Sequence, residues 1–195
     1  MALGHRQDVR FDAALRGAAH ELVWRSDAVP APSVRPRLDG FLVVTDEEWD
    51  WALTVNVLAA VRAIRAALPH LLDRAPATIV TVSSVNALLP DPAVIDSSAA
   101  QGALTNFRKS VSKEFGPPGV RVNTVSPDPV ETDLWPGRRT APGEEVAKQA
   151  VTDTSTGRFT HPGEVADVVL MLASDRAGNV TGTDVLIDAG LVKTL

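Results

Sequence analysis

The residue types that are missing from this sequence limit the chemistry that it could perform. The chain has no cysteine and no tyrosine, and the lack of cysteine excludes thiol nucleophiles, disulfides and cysteine-held zinc. Its four histidines are scattered without the spacing of metal ligands. Asn56 lies at the edge of a predicted helical stripe, and Ser84 follows the β-branched run TIVTVS at the end of a predicted strand. Taken alone, such an asparagine and such a serine are more often structural hydrogen-bonding groups than catalytic ones. The end of a strand is, however, the place where open α/β sheets bind ligands.

Asn56 lies on the helix that the sequence predicts most clearly. Thr45 and Glu48 have the spacing of a capping box, and apolar residues then recur at three- and four-residue intervals to about Arg74. The members of this predicted apolar stripe are Trp49, Leu53, Val57, Ala60, Val61, Ile64, Leu68 and Leu71. A long helix from Thr45 is therefore expected to carry Asn56.

The rest of the chain alternates predicted strands and helices. Strands are predicted at 21–24, 78–83, 119–126 and 184–188, and helices at 7–20, about 98–115 and from Pro162. A loop rich in proline and glycine follows Pro127 to about Gly143 and could form a lid, with an ambiguous helical piece after it. The alternation predicts a single α/β domain over residues 1–195, with a mostly parallel sheet and helices on both faces.

Composition limits the partners. The net charge is −5 and the isoelectric point is near 5.3, so nucleic acid and anionic membrane surfaces are poor candidate partners. No uninterrupted apolar run approaches about 18 residues, and the charged start of the chain does not resemble a signal peptide. A cytoplasmic protein that binds small molecules or other proteins is expected.

Five stretches in order resemble the C-terminal two-thirds of a short-chain dehydrogenase/reductase. They are TDEEWDWALTVNVLAAVRAIRAALPHLL, IVTVSS, QGALTNFRKSVSKEFGPPGVRVNTVSP, ET and HPGEVADVVLMLASDRAGNVTGTDVLIDAG, and the resemblance covers about residues 21–190. It implies a Rossmann-like doubly wound fold. Only about twenty residues precede the stretch that resembles the fourth strand of the family, so the fold is expected to be incomplete and the chain truncated.

The resemblance also implies an active site built from an asparagine, a serine, a tyrosine and a lysine. It places the asparagine at Asn56 and the serine at Ser84, whereas the tyrosine and lysine positions hold Ser97 and Gln101. An aliphatic hydroxyl is too weak an acid to replace a phenol, and an amide brings no charge that would help to ionise it. We interpret Ser97 as part of a helix cap and Gln101 as a solvated helix position, and expect ordinary hydride transfer to be absent or very slow.

The cofactor positions implied by the family differ as well. No three glycines have the four-then-two spacing of the loop that binds a dinucleotide pyrophosphate. Pro127 and Asp128 stand where the family has Pro-Gly beside the nicotinamide, and Thr132 matches a contact to the nicotinamide amide. NAD(P) is therefore implied by the resemblance alone; no cofactor and no metal are expected, and these three residues are vestigial.

Several functions remain open. The leading hypothesis is a pseudoenzyme that associates with itself or with an intact relative through the helices at about 45–74 and 98–115. The second is an enzyme that uses Asn56 and Ser84 for isomerase, dehydratase or cyclase chemistry without nicotinamide. The third is a residual NAD(P)-dependent oxidoreductase completed by another chain, and the fourth is a decayed gene product without function.

Overall fold

The computed structural model describes residues 21–25, 40–132 and 148–193, and for residues 21–25 it describes the backbone alone. The predicted helix at 7–20, most of the loop after Pro127 and most of the helical piece that follows it lie outside the described residues.

In the residues that the structure describes, four parallel strands form one sheet, in sequence order. They are β1 (Glu21–Arg25), β2 (Ala77–Val82), β3 (Val120–Pro127) and β4 (Asp184–Ile187). The register pairs Leu22 with Ile79, Ile79 with Val122, and Thr124 with Asp184. The predicted strands and the predicted parallel order are thus confirmed. The carboxyl ends of β2 and β3 lie side by side, which brings Ser83, Ser84 and Asp128 to the same edge of the sheet.

Helices cover both faces of the sheet, as the sequence predicts. On one face, Ile64, Leu71 and Val111 of two helices pack against Ile79 and Val122. On the other face, residues of the helix α4 (Pro162–Ala173) pack against the alternate strand residues, because neighbouring residues of a strand point to opposite faces. This second cluster consists of Val80, Val82, Val125, Val169, Leu172, Ala173 and Ala177.

The long predicted helix is present, with an irregularity that the sequence did not predict. The capping box forms, since Thr45 Oγ1 accepts from the Glu48 amide at 3.3 Å and the Glu48 carboxylate accepts from the Thr45 amide at 2.9 Å. The helix then runs as α1 (Asp46–Leu53), a wider π-helical turn (Thr54–Leu58) and α2 (Ala59–Leu72). Such turns occur frequently at functional sites, and this one contains Asn56.

The apolar stripe of this helix is only partly buried. Ala60, Ile64 and Leu71 are buried, whereas Leu53 was predicted to face the core and is exposed. The segment Asp46–Leu72 is long and apolar enough by length and composition to cross a membrane, with mean hydropathy 1.4 over its most apolar window. About a third of that window is buried, and its buried side packs on the sheet, so the helix is weak evidence for a membrane span.

The next helix begins earlier than predicted. α3 spans Ile95–Phe115, after a short turn that Asp91 caps by accepting from the Ala93 amide at 2.8 Å. Ser97 is therefore inside the helix and buried, so its interpretation as part of a cap was wrong. The predicted inner residues Ala100, Leu104 and Val111 are buried as expected.

Candidate functional site

A hydrogen-bond network of three buried polar side chains connects the end of β2, α3 and the π-helical turn. Ser83 Oγ donates to Gln101 Oε1 at 2.8 Å, and Gln101 Nε2 donates to Asn56 Oδ1 at 3.4 Å. Asn56 Nδ2 in turn donates to the carbonyl of Ala52 at 2.9 Å. The three side chains are only 6–7% exposed. Because buried polar groups are costly unless they are paired, this hydrogen-bond network holds the three elements against one another.

Gln101 is the main correction to the sequence-based site. It was interpreted as a solvated helix position, but it is buried and bonded at both ends of its amide. The apolar pattern predicted only the apolar residues of the buried face of α3. The polar residues Ser97, Gln101 and Arg108 are buried on the same helix. Polar residues can occupy a buried face when other elements supply their hydrogen-bond partners, as Ser83 and Asn56 do for Gln101.

Ser83 belongs to this hydrogen-bond network. The sequence patterns selected only Ser84, its neighbour, as a site residue. Because successive residues of a strand point to opposite faces of the sheet, the sequence does allow the side of Ser83 to be predicted. Ile79 and Thr81 point toward α3, so Ser83, two residues further along, is expected on the same side. Asn56 and Gln101, which the family pattern had selected independently, are brought together by the fold.

Ser84 and Asp128 form a second and more accessible pair. Ser84 Oγ donates to Asp128 Oδ2 at 3.4 Å and accepts from the amide of Asn86 at 3.1 Å. Both side chains are half-buried, at the carboxyl ends of β2 and β3. The Asp128 amide donates to the carbonyl of Ile187 at 3.2 Å, which ties this residue to β4.

The environment of Asp128 favours the protonated acid. Burial raises the pKa of Asp128 to about 6, against the opposing effect of the hydrogen bond from Ser84, and the negative charge of Asp91 raises it further. A carboxyl group with such a pKa can accept and return a proton near neutral pH. Asp128 is the one group of this pair that could act as an acid or a base.

The residues after Asp128 are held to the segment before α4. The Thr160 amide donates to the carbonyl of Pro129 at 2.8 Å, and the Glu131 amide donates to the carbonyl of Thr160 at 2.9 Å. Pro127 is buried at the end of β3, and Thr132 is the last described residue before the gap. Most of the candidate lid lies outside the described residues.

The arrangement can therefore orient a polar group and exchange a proton through Asp128. Ser83, Gln101 and Asn56 are neutral; the amide oxygen of Asn56 accepts from Gln101, and one amide N–H of Asn56 donates to the Ala52 carbonyl. Within the part of the chain that the structure describes, no group of three or more histidine or acidic side chains could hold a metal ion.

Comparison with known proteins identifies the family. A family model described as enoyl-(acyl carrier protein) reductase matches residues 27–192. The 3beta-hydroxysteroid dehydrogenase 1 of Eggerthella lenta is 30% identical over 188 residues, which are 94% of this chain and 68% of that protein. The 3-oxoacyl-[acyl-carrier-protein] reductase of Thermotoga maritima is 34% identical, over 79% of this chain and 61% of that protein.

Solved structures give the same result. A short-chain oxidoreductase of Pseudomonas aeruginosa, described as NADPH-bound and as containing an atypical catalytic centre, is 32% identical with a TM-score of 0.79. The match covers 92% of this chain and 68% of that one. The L-sorbose reductase of Gluconobacter frateurii, complexed with NADPH and L-sorbose, is 25% identical with a TM-score of 0.80, over 92% of this chain and 69% of that one.

The matches also show how much of a whole relative this chain represents. It spans about half the length of an oxidoreductase of Bacillus subtilis that is 34% identical to it. It spans 68% of the Eggerthella lenta dehydrogenase and 61% of the Thermotoga maritima reductase. The sequence stretches, the parallel sheet with helices on both faces and these matches agree, and the chain belongs to the short-chain dehydrogenase/reductase superfamily.

Proposed function

We propose that this chain does not perform hydride transfer by the tyrosine–lysine mechanism and instead acts as a non-catalytic subunit, paired with a second copy or with an intact relative. The observation that carries the proposal is the state of Gln101, which stands at the lysine position of the family. Its amide is neutral, buried and bonded to Ser83 and Asn56. It cannot supply the positive charge that helps an active-site hydroxyl to ionise.

The tyrosine position adds to this argument. Ser97 is buried near the start of α3, and an aliphatic hydroxyl is a much weaker acid than a phenol. The NADPH-bound relatives make NAD(P) binding a property of the superfamily. For this chain we propose that no nicotinamide cofactor is bound, because no glycine trio has the required spacing and Asp128 brings a side chain to a position where the family has glycine.

Exposed apolar residues near the two long helices support the assembly role. Leu53 is 37% exposed and Leu58 is 43% exposed on the α1–α2 helix, and Leu88 and Leu89 are exposed in the turn between β2 and α3. Apolar residues grouped on a surface mark interaction sites more often than isolated ones do. We propose that the faces of residues 45–74 and 98–115 form the contact, in a cytoplasmic protein.

Two measurements test this proposal together. Sedimentation velocity of the purified chain is expected to show a dimer or larger species. Assays of NADPH oxidation with a panel of ketones and aldehydes are expected to give no rate above the protein-free control. A monomer at micromolar concentration would contradict self-association, and measurable turnover would contradict the loss of hydride transfer.

A second candidate function is proton-transfer chemistry without nicotinamide, and the Ser84–Asp128 pair favours it. Asp128 has a pKa of about 6 and lies 3.4 Å from a hydroxyl that can donate to a substrate carbonyl. In the step that we propose, the Asp128 carboxylate removes a proton from the carbon beside a carbonyl. The Ser84 hydroxyl then donates to the enolate oxygen, and Asp128 returns the proton to carbon, so atoms and charge balance.

A third candidate is an oxidoreductase completed by another chain. Among the strands that the structure describes, β1 lies at one edge of the sheet, and we propose that strands of another chain could pair with it there. Exposed strand edges pair readily with other strands. The observation that would favour this candidate is NADPH turnover that appears only when an intact relative is mixed with this chain.

A further inference from the structure

The exposed side of the α1–α2 helix carries its charges in two separate groups. Acidic residues, among them Asp46 and Asp50, lie in the first two turns. The basic residues Arg62 and Arg65 follow the π-helical turn, and no charged residue lies between the two groups. All four side chains are exposed. One end of this helix surface is therefore negative and the other end is positive.

The π-helical turn aligns the two groups on one stripe. The Ala59 amide donates to the carbonyl of Thr54, five residues back, so this turn holds one residue more than an α-helical turn. In a regular α-helix, a step of five residues would rotate Leu58 by more than a third of a turn away from Leu53. The wider turn removes most of that rotation. The resulting stripe consists of Asp46, Asp50, Leu53, Leu58, Arg62 and Arg65.

The order of residues in this stripe is complementary to itself. It runs acid, acid, leucine, leucine, base, base. Asp46 lies seven residues before Leu53, and Arg65 lies seven residues after Leu58, so the end charges are equally far from the centre. A two-fold axis through the centre places the acidic half of one stripe against the basic half of an antiparallel second copy, as a symmetric dimer requires.

The side chains of the stripe are available for such a contact. Among the residues that the structure describes, none forms an ion pair with the four charged side chains of the stripe. Leu53 is 37% exposed and Leu58 is 43% exposed between the two charged groups. Exposed ion pairs add little energy, whereas like charges that face each other are unfavourable. The charges therefore select the direction and the register, and the leucines supply the apolar contact.

We propose that this helix pairs with the same helix of a second copy, antiparallel and centred between Leu53 and Leu58. The proposal rests on the subunit role proposed above, and it names the partner as a second copy because the stripe is complementary to itself. In this dimer Asp46 faces Arg65 of the partner subunit, and Leu53 faces Leu58 of the partner subunit. Parallel helices would place each charged group against its own kind.

Charge reversal tests the pairing, with sedimentation velocity of the intact chain as the readout. The unmodified chain is expected to dimerise, and high salt is expected to weaken the dimer because it screens exposed charges. The double variants Arg62→Glu/Arg65→Glu and Asp46→Lys/Asp50→Lys place like charges against each other. Each is expected to raise the dissociation constant of the dimer about tenfold or more. An equimolar mixture of the two variants restores opposite charges and is expected to form a heterodimer.

Arg176→Glu is the control for a charge change that leaves the stripe intact. Arg176 is exposed in the turn after α4, outside the α1–α2 helix, and its reversal is expected to leave the dissociation constant unchanged. Circular dichroism checks that every variant is folded. The heterodimer in the mixture is a second check, because only folded chains can form it.

Disulfide cross-linking tests the direction of the helices independently of charge. The chain has no cysteine of its own, so Leu53→Cys and Leu58→Cys each introduce a single thiol. The two variants, one of them isotopically labelled, are mixed and oxidised, and mass spectrometry measures the products. Antiparallel pairing predicts more of the mixed disulfide than random pairing gives, whereas parallel pairing predicts more of the disulfides between identical variants.

The outcomes separate this arrangement from the subunit proposal. A dimer that persists unchanged in either double variant, a mixture without heterodimer, or an excess of disulfides between identical variants would overturn the arrangement and leave the subunit proposal standing. An unmodified chain that stays monomeric would overturn the arrangement together with self-association.

Discussion

The side-chain oxygen of Gln101 accepts a 2.8 Å hydrogen bond from Ser83, across the interface between α3 and the end of β2. This contact accounts for a glutamine at a buried helix position. The family resemblance places a lysine at this position, and we propose that the neutral Gln101 stabilises the scaffold instead of serving catalysis.

Replacing Gln101 with leucine is expected to destabilise the fold by about 1–3 kcal/mol, because the hydroxyl of Ser83 and the amide oxygen of Asn56 lose a buried partner. Urea unfolding followed by tryptophan fluorescence measures the change. The control Asn106→Ala alters an exposed residue of the same helix and is expected to stay within about 0.5 kcal/mol. Equal stability of Gln101→Leu and the original chain would contradict a structural role.

Asp128 is expected to make the fold less stable as pH rises from about 4 to about 6. Its pKa in the folded chain is about 6, above the ordinary value of 3.8, so folding favours the protonated carboxyl. The stabilisation is complete below the unfolded pKa and is lost as pH rises through the folded one, by at most about 3 kcal/mol. Urea unfolding across this range, with Asp128→Asn as control, checks it. A slope that persists in Asp128→Asn would assign the effect to another group.

If Asp128 acts as a base, exchange of α-protons from cyclohexanone or acetoacetate into deuterated water is expected to increase with pH, to be half-maximal at about pH 6 and to level off at higher pH. Proton NMR measures the exchange. Asp128→Asn is expected to reduce it to the rate without protein, and Ser84→Ala to reduce it about tenfold or more. Exchange that is the same in Asp128→Asn would exclude the proton-transfer function.

The assembly proposal predicts that Leu58→Glu produces monomers, because a charge would replace an exposed apolar side chain at the centre of the proposed contact. Sedimentation velocity and light scattering measure the change. Leu170→Glu is a matched control, since Leu170 is 65% exposed on α4, on the opposite face of the sheet. Loss of assembly in the Leu170 variant, with no change in the Leu58 variant, would place the contact on α4 instead.

Local sequence patterns were sufficient to predict the strands, the helices and the capping box of this fold. Thr45 and Glu48 are three residues apart, and their reciprocal bonds form as predicted. The strands and the apolar face of α3 follow from the period of their own residues. These features depend on neighbours in sequence, so one sequence suffices to predict them.

The polar interior could not be predicted in the same way. The partners of Gln101 are 18 and 45 residues away, and the carboxylate that faces Arg108 lies on β4. An apolar pattern assigns such polar residues to solvent, because only the tertiary fold brings their partners near. The π-helical turn is similar, since the sequence around Asn56 continues the helical period without interruption.

We propose that this chain does not bind a nicotinamide cofactor by itself. The most direct test is its thermal unfolding, followed by tryptophan fluorescence, with and without millimolar NADH or NADPH. A ligand that binds the folded state must raise the midpoint of unfolding. Our account predicts a cooperative transition that neither cofactor moves, whereas a reproducible upward shift with either cofactor would contradict it and would assign an oxidoreductase role to this chain.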